Sequence, residues 1–417
     1  MAESGTSSLA GRVAFEYPGF GLFLAARWLI IAGVEMQSVA VGWRIYEISH
    51  RNMDLGFVGL AQFLPGVLLF LVSGHTADRF PRRSILFVCY FGYASCSALL
   101  LFFSLRGVHL VYWIYATMVL LGIVRSFNGP ASRAIVPQLV PEEHLQNAFA
   151  WGGGSFQSAT ILGPSIGGII YAITKGPIAV YTTALILSVA AILMMLGVHV
   201  IAKPRAREPV SMETILAGLR YVWRKKIILG SISLDLFAVL LGGAVALLPA
   251  YASDILHTGP WGLGLLRCSQ GIGAGVMAIF LAYRPLRRRT GATLFWCVAG
   301  FGVFTILFGI SRNLYLSMAA LILAGASDMV SMIIRAVLVQ VATPDEMRGR
   351  VNAVDMVFIG ASNQLGEAES GFTGQWLGTV PAVVLGGIGT LVVTALWAWG
   401  FPELRKADRL TSEETRD

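Results

Sequence analysis

Residues 178–201 of the chain read IAVYTTALILSVAAILMMLGVHVI, a run without a single Asp, Glu, Lys or Arg. About 20 apolar residues are enough for an α-helix to cross the hydrocarbon core of a bilayer. Because that core offers the backbone no water, the peptide groups of such a run must bond to one another, as they do in a helix. The run therefore predicts a transmembrane helix.

Similar runs occupy nearly the whole chain. Hydrophobic residues make up 56% of the 417 residues and charged residues only 13%, about half the charged share of a soluble protein. We therefore predict an all-α membrane protein with twelve transmembrane helices. Their predicted positions are 19–45, 55–77, 84–105, 109–130, 146–173, 178–201, 227–252, 261–283, 291–311, 313–341, 350–378 and 381–401. The four cysteines lie inside these runs without metal-ligand spacing, so we expect no metal and no cofactor.

The basic residues of the loops indicate how the helices are oriented. With both termini in the cytoplasm, the loops on the opposite side hold only Arg51, Arg106, Lys175 and Arg312, and the other basic loop residues are cytoplasmic. This distribution follows the positive-inside rule. The rule also accounts for the formal net charge of +8, so we expect no nucleic-acid partner.

Two segments about 200 residues apart repeat one another. Residues 132–150 read SRAIVPQLVPEEHLQNAFA and residues 334–354 read IRAVLVQVATPDEMRGRVNAV, so that Arg133 aligns with Arg335. The repeat divides the twelve helices into two pseudo-symmetric six-helix bundles. Duplicated halves around a midplane site are typical of alternating-access carriers.

The repeat also predicts the domain organisation. A six-helix half, a cytoplasmic linker, a second six-helix half and a cytoplasmic tail are expected at 1–202, 203–226, 227–404 and 405–417. In the linker, Ser211 can cap a short helix that runs to about Trp223, with its apolar side chains on one face. We expect this amphipathic helix to lie on the inner leaflet and to link the two halves.

The loop after the second predicted helix reads GHTADRFPRR. It resembles the GxxxDRxGRR loop of the major facilitator superfamily, with Pro81 where a glycine is usual. An ordinary positive-inside loop would account for its arginines but not for Gly74 and Asp78, so we predict a gate in which Asp78 accepts hydrogen bonds from a helix N-terminus. The residues of this motif are Gly74, Asp78, Arg79, Arg82 and Arg83. The loop at 284–289 keeps arginines without the aspartate, which predicts an asymmetric gate.

Arg125 lies in the fourth predicted helix and is followed by Asn128 and Gly129. This arrangement resembles the RxxxG motif of the same superfamily, whose arginine is linked to proton transfer. An arginine at membrane depth costs at least about 2.5 kcal/mol and must face protein or water. Because Arg125 lies several residues before the helix end, we favour such a role over a side chain that extends to the membrane surface.

The fifth predicted helix contains GPSIGG, which resembles the GPxxGG motif of superfamily exporters. The matching residues are Gly163, Pro164, Gly167 and Gly168, and Ala159 replaces the usual preceding glycine. The resemblance implies efflux. A GxxxG pair alone indicates only close helix packing, which is the alternative.

The GHTADRFPRR loop, the spacing of the first two predicted helices and the stretch TPDEMRGRVNAV together resemble the enterobactin-exporter branch of the superfamily. Members of that branch export siderophores or other small amphipathic molecules by proton antiport. The resemblance implies a monomer in the bacterial inner membrane, with protons, membrane lipids and a small-molecule substrate as partners.

Ionisable and polar side chains inside the predicted helices are candidates for the substrate or proton pathway, because such residues are costly in a bilayer. They are Arg27, Glu35, Arg125, Asn128, Asp235, Arg267, Gln270, Asp328, Glu367 and Glu369. Family resemblance places the first, fourth, seventh and tenth helices around the cavity, so Glu35, Arg125, Asp235 and Asp328 lead. The helices carry both arginines and acids, so composition does not indicate the charge of the substrate.

Two of these acids are candidates for proton coupling. A carboxylic acid at bilayer depth can exchange a proton near neutral pH, and we propose this role for Glu367 or Glu35. Glu367 and Glu369 are two residues apart and point to different helix faces. The alternative is a static ion pair with Arg27, Arg44 or Arg267, since structural pairs perturb titration equally.

Three other functions remain as alternatives to a proton-coupled exporter. A lipid or lysophospholipid flippase would also use a cavity rich in Phe, Trp and Leu. A membrane-embedded enzyme is disfavoured because the sequence has no HExxH, GxSxG or Walker motif. A sensor without transport would need an appended signalling domain, which the predicted organisation does not include. With no nucleotide site, energy must come from an ion or substrate gradient.

Overall fold

The computed structural model describes residues 13–107, 110–200, 212–284 and 289–406. Within these ranges every regular element is helical, which confirms the predicted all-α class. Several predicted features lie outside the described residues, among them residues 203–211 of the linker with Ser211, Arg287 and Arg288 of the loop at 284–289, and residues 407–417 of the tail. The side chain of Asp78 is also outside the description, although its backbone lies in a helix.

The first half of the chain forms seven helices of seven residues or more. They are α1 (Pro18–Ser49), α2 (Asn52–Leu68), α3 (Phe70–Arg79), α4 (Arg82–Leu105), α5 (Val111–Ala134), α6 (Leu145–Thr174) and α7 (Ile178–Leu196). Short helical turns at Val13–Glu16, Val136–Leu139 and Glu142–His144 connect some of them.

The second half begins with the linker helix. Its helices are α8 (Met212–Arg224), α9 (Lys226–Gly242), α10 (Gly259–Tyr283), α11 (Thr290–Ile310), α12 (Leu314–Val341), α13 (Asp345–Leu377), α14 (Thr379–Gly400) and α15 (Pro402–Lys406). Between α9 and α10 the chain forms a 3-10 turn at Ala244–Leu247, one α turn at Leu248–Ala250 and a π turn at Tyr251–Ile255.

In the described ranges, ten helical segments are long and apolar enough to cross a membrane. The other two predicted crossings do not meet these criteria of length and hydropathy, and the sequence explains why. One is broken between α2 and α3, with Pro65, which cannot donate a backbone hydrogen bond, in the preceding turn. The other is α13, a 33-residue helix of low hydrophobicity that carries Glu367 and Glu369. The helices are consistent with the predicted twelve crossings.

Close contacts between α-carbons divide the chain into two compact units. Unit 1 comprises Met1–Arg44 and Leu64–Val210, and unit 2 comprises Ile45–Phe63 and Ser211–Asp417. Ile45–Phe63, which contain the end of α1 and most of α2, therefore belong with the second half of the sequence.

Within unit 2, α2 packs on α13 at two facing glycines. A Cβ atom added to Gly371 would lie 2.5 Å from the Cα of Gly56, so no side chain fits there. One turn away, the Asn52 amide donates hydrogen bonds to the carbonyl of Gly374 and the hydroxyl of Thr379, each at 3.0 Å. The glycines bring the two backbones together and Asn52 supplies the polar contacts.

The linker helix α8 also packs within unit 2. A Cβ atom on Gly218 would lie 2.8 Å from the carbonyl oxygen of Arg350, and the Tyr221 hydroxyl donates to the carbonyl of Ala342 at 3.3 Å. Val222 is buried, whereas Trp223 is 69% exposed. We expected the apolar face of this helix to lie on the inner leaflet, and the structure shows that part of that face contacts α12 and α13.

Candidate functional site

Unit 1 brings together two of the leading candidates, Glu35 of α1 and Arg125 of α5. The Arg125 guanidinium lies 3.8 Å from a Glu35 carboxylate oxygen, and the two side chains are 40% and 23% exposed. An ion pair of this length and exposure contributes little to stability. The sequence suggested Arg27, Arg44 or Arg267 as static partners of the proposed coupling acids, and the structure pairs Glu35 with Arg125.

The GPSIGG motif of α6 packs against α1 at the level of Glu35. A Cβ atom on Gly163 would lie 2.7 Å from the Cβ of Glu35, and one on Gly167 would lie 2.8 Å from the Cα of Met36. Pro164 and Gly168 of the same helix are buried. The motif therefore allows α6 to approach α1 closely and holds the Glu35 backbone in place.

Arg27 lies two turns before Glu35 on α1 and rests on α6. Its guanidinium is 6.0 Å from the centre of the Phe156 ring, within the range of a cation–π contact. A Cβ atom on Gly152 would lie 3.4 Å from a guanidinium nitrogen of Arg27. The neighbouring Trp28 donates to the Ser158 hydroxyl at 2.9 Å and ties the two helices together.

Asn128 has a buried side-chain oxygen for which the described residues supply no hydrogen-bond donor. It lies one turn after Arg125 on α5. The adjacent Gly129 has no heavy atom within 4 Å of its added Cβ, and the same is true of Gly153 and Gly154 on α6. These positions border open space.

The residues of the predicted gate motif lie on α3 and at the start of α4. Gly74 is in α3, and Arg79 at its end is exposed. Arg82 is buried, and its Nε has no partner among the described residues. Arg83 donates to the carbonyl of Leu196 at 2.7 Å. The gate role of Asp78 stays a prediction, because its side chain lies outside the part of the chain that the structure describes.

Unit 2 contains a buried ion pair between Asp235 of α9 and Arg335 of α12. The two groups are 2.5 Å apart, and their side chains are 10% and 9% exposed. The Nε of Arg335 also donates to the Ser331 hydroxyl at 3.2 Å. Asp235 was a predicted candidate, whereas Arg335 was named in the sequence analysis only as the residue that aligns with Arg133.

Two further carboxylates interact electrostatically with this pair. Asp328 precedes Arg335 by about two turns on α12, and Asp355 lies on α13. Each interacts with both Arg335 and Asp235. The four side chains form what we call the acidic cluster, three carboxylates around one guanidinium. Asp355 was not among the predicted candidates, although an acid inside a predicted helix was the signal that could have found it.

An apolar cluster lies next to the acidic cluster, about one helical turn from Asp235 on α9 and from Arg335 on α12, and directly before Asp355 on α13. Ile232 of α9, Val339 of α12 and Val354 of α13 belong to it, and so does Val222 of the linker helix. These residues are nearly or fully buried. The linker helix thus helps to cover one end of the acidic cluster with apolar side chains.

The remaining predicted candidates lie elsewhere in unit 2. Glu367 of α13 packs against α2, where a Cβ atom on Gly59 would lie 2.9 Å from its carboxylate. Glu369 is partly buried on the same helix. The backbone of Gln270 in α10 lies against α12. A Cβ atom added to Gly325 of α12 would overlap the carbonyl oxygen of Gln270. Arg267 lies one turn earlier on α10 with its Nε buried.

Known proteins resemble the chain over almost its full length. The profile of the family described as transmembrane secretion effector matches residues 14–416. The enterobactin exporter EntS of Shigella boydii serotype 18 is 25% identical over 400 residues, covering 94% of this chain and 93% of the relative. EntS of Escherichia coli O1:K1 / APEC matches to the same extent.

Solved structures share the fold. A bacterial homologue of the lysosomal transporter Spinster, inward-facing and occupied, superposes with a TM-score of 0.72 at 12% identity, covering 93% of this chain and 98% of that one. A bacterial homologue of the iron transporter ferroportin gives 0.66 at 16% identity, covering 91% and 98%. At these identities the likeness establishes the fold alone. With the profile match and the exporter relatives, it shows that this chain is a multi-pass secondary transporter of the major facilitator superfamily and belongs to its transmembrane secretion effector family.

Proposed function

We propose that this protein exports a small amphipathic molecule across the bacterial inner membrane in exchange for protons. Both termini lie in the cytoplasm in this proposal, and the two sequence halves alternate access by a rocker-switch motion. The family and the EntS relatives support export. The basic loop residues support the orientation.

The acidic cluster of unit 2 is the observation that carries proton coupling. Three ionised carboxylates around one guanidinium leave a net charge of −2 in a membrane-embedded site. Uncompensated charge is unfavourable where water is scarce. A bound proton removes one of these charges, and its release restores it. The cluster can therefore exist in states that differ by a proton.

We infer different roles for the three acids. Asp235 forms the direct pair with Arg335 and holds the guanidinium in place. Asp328, which shares α12 with Arg335, and Asp355, which lies on α13, both interact electrostatically with that pair. We therefore infer that Asp328 or Asp355 exchanges the transported proton. From the sequence we proposed Glu35 or Glu367; the pairing of Glu35 with a single arginine makes the acidic cluster the stronger candidate.

Proton coupling is testable in proteoliposomes that contain the full chain and an internal pH-sensitive dye. Enterobactin, the compound in the name of the relatives, is the first substrate to test. An imposed pH gradient should drive its uptake by the wild-type protein. Asp328→Asn or Asp355→Asn should abolish the dependence on the gradient while downhill movement persists.

The matched control is Glu47→Gln, which removes an exposed carboxylate near the end of α1. This variant should respond to the gradient as the wild type does. If both cluster variants retain wild-type stimulation by the gradient, the acidic cluster does not couple protons. Lysophospholipid movement in the same vesicles, without enterobactin transport, would favour a flippase instead.

A further inference from the structure

A surface cavity of unit 2 lies at the ends of two segments that are long and apolar enough to cross a membrane. The segment Lys226–Ile255 begins with α9, and the helix α14 ends at Gly400. The cavity has a volume of about 420 Å³ and is lined by Lys226, Trp399, Gly400, Phe401, Pro402 and Glu403. Because its walls come from the ends of these segments, the cavity lies at the boundary between the hydrocarbon core and water.

Close packing fixes the wall of the cavity that Phe401 and α15 form. A Cβ atom on Gly230 of α9 would lie 2.7 Å from the Phe401 ring, and one on Gly291 of α11 would overlap the carbonyl oxygen of Leu404. The side chain of Leu404 is fully buried. The wall is therefore already in place before a ligand binds.

The charged side chains around the cavity are mostly cations. In the described stretches 217–226 and 399–406, six cations and one acid are all exposed, which gives a formal charge of +5. The cations are Arg220, Arg224, Lys225, Lys226, Arg405 and Lys406, and the acid is Glu403. Within the part of the chain that the structure describes, none of these six cations forms an ion pair. The surface thus attracts anions.

Two exposed tryptophans lie beside these charges. Trp399 lines the cavity and is 84% exposed, and Trp223, three residues before Lys226, is 69% exposed. Indole rings are enriched at the headgroup level of membranes, where the apolar ring meets lipid while its N–H still finds a hydrogen-bond partner. Exposed indoles next to cations therefore indicate a surface that faces lipid headgroups.

We propose that this surface binds an anionic phospholipid. The ammonium group of Lys226 donates charge-assisted hydrogen bonds to the lipid phosphate, and the ring of Trp399 contacts the glycerol and the first methylene groups. The surrounding cations favour a lipid of net negative charge over a zwitterionic one. Glu403 opposes the anion from within the cavity. The proposal goes beyond export and depends on neither the substrate nor proton coupling.

The test is native mass spectrometry of the full chain, purified in detergent and titrated with one lipid at a time. Phosphatidylglycerol, phosphatidylethanolamine and phosphatidylcholine with identical dioleoyl chains are the three probes. The wild type should bind phosphatidylglycerol at least about fivefold more tightly than either zwitterionic lipid, because each basic residue near anionic lipid contributes roughly this factor.

Variants assign the binding to the cavity. Lys226→Gln should weaken phosphatidylglycerol binding about fivefold and leave phosphatidylcholine binding nearly unchanged. Glu403→Gln should tighten phosphatidylglycerol binding, whereas Trp399→Ala should weaken the binding of both lipids. A purely structural role of these residues would not give opposite effects at Lys226 and Glu403.

The matched control is Arg312→Gln, which removes an exposed cation of the same unit. Arg312 follows α11, whose first turn contacts Leu404 and whose 21 residues place its other end ~30 Å from the cavity. This variant should bind phosphatidylglycerol as the wild type does.

Four results would overturn the proposal. The first is equal affinity of the wild type for phosphatidylglycerol and phosphatidylcholine, and the second is an affinity of Lys226→Gln that matches Arg312→Gln. The third is tighter binding of phosphatidylethanolamine than of phosphatidylglycerol, which would indicate a zwitterionic headgroup. The fourth is tighter binding of a deca-glutamate peptide, lost in Lys226→Gln, which would assign the surface to an acidic protein segment.

Discussion

Asp235 and Arg335 form a buried ion pair, 2.5 Å apart, between helices that start almost ninety residues from each other in the chain. Both side chains are at least nine-tenths buried, and the two groups are in direct contact. Asp328 and Asp355 add two carboxylates to the same surroundings. The pair is thus a structural element and also the fixed part of the proposed proton site.

Loss of Asp235 should destabilise the protein. Asp235→Asn removes the carboxylate that directly contacts the Arg335 guanidinium and leaves Asp328 and Asp355 as the acids that still interact with it, so the lost contact should cost about 1–3 kcal/mol. Thermal unfolding of the detergent-solubilised protein should show a lower midpoint than in the wild type. A midpoint for Asp235→Asn equal to that of the wild type would contradict this account of the pair.

Close packing of α2 on α13 should depend on Gly371. Gly371→Ala places a methyl group 2.5 Å from the Cα of Gly56 and forces the helices apart, at a cost of about 1–3 kcal/mol for overpacking. The control is Gly360→Ala on the same helix, where the added Cβ meets no atom within 4 Å. Thermal unfolding should separate the two variants. Equal midpoints would show that α2 and α13 accommodate the added methyl group without a loss of stability.

The linker helix should be held to unit 2 by Gly218. Gly218→Val introduces a side chain 2.8 Å from the carbonyl of Arg350, so α8 should detach from α13. Hydrogen exchange of the α8 backbone should then become faster, because the packed face is exposed to water. Trp223→Ala changes an exposed side chain and should leave exchange unaltered. Unchanged exchange in Gly218→Val would mean that the contact does not anchor the helix.

The hydroxyl of Tyr46 should contribute to the stability of unit 2. It donates a hydrogen bond to the carboxylate of Asp254, across more than two hundred residues of chain. Tyr46→Phe removes the donor and should cost about 1 kcal/mol. Tyr112→Phe, at an exposed position, is the control and should have no effect on thermal unfolding. Tyr46 would be dispensable if both variants unfolded at the same temperature.

Part of the fold followed from the sequence because its cause is local. A stretch such as 178–201 has no charge to keep it in water and must satisfy its own backbone in a bilayer, so it forms a helix wherever it packs. The predicted helix there and the described α7, Ile178–Leu196, agree for this reason. The same argument placed candidate charges inside helices, since such residues stand out against an apolar background.

The partners of those charges were decided by tertiary structure. Nothing in the local sequence around Glu35 indicates Arg125 rather than another arginine, because helix packing alone brings them to 3.8 Å. In the same way, Asp355 joins Asp235 and Arg335 only through the packing of α9, α12 and α13. Electrostatic pairing depends on distance in space, which a single sequence does not encode locally.

The sequence by itself thus determined the membrane-helical class, the repeat and the set of buried ionisable residues. Only the tertiary structure decided that Ile45–Phe63 belong with unit 2 and that α8 packs on protein. It also paired Glu35 with Arg125 in unit 1 and gathered three acids around Arg335 in unit 2. The physical reason is that hydrophobicity acts residue by residue along the chain, whereas glycine contacts and ion pairs exist only once distant helices meet.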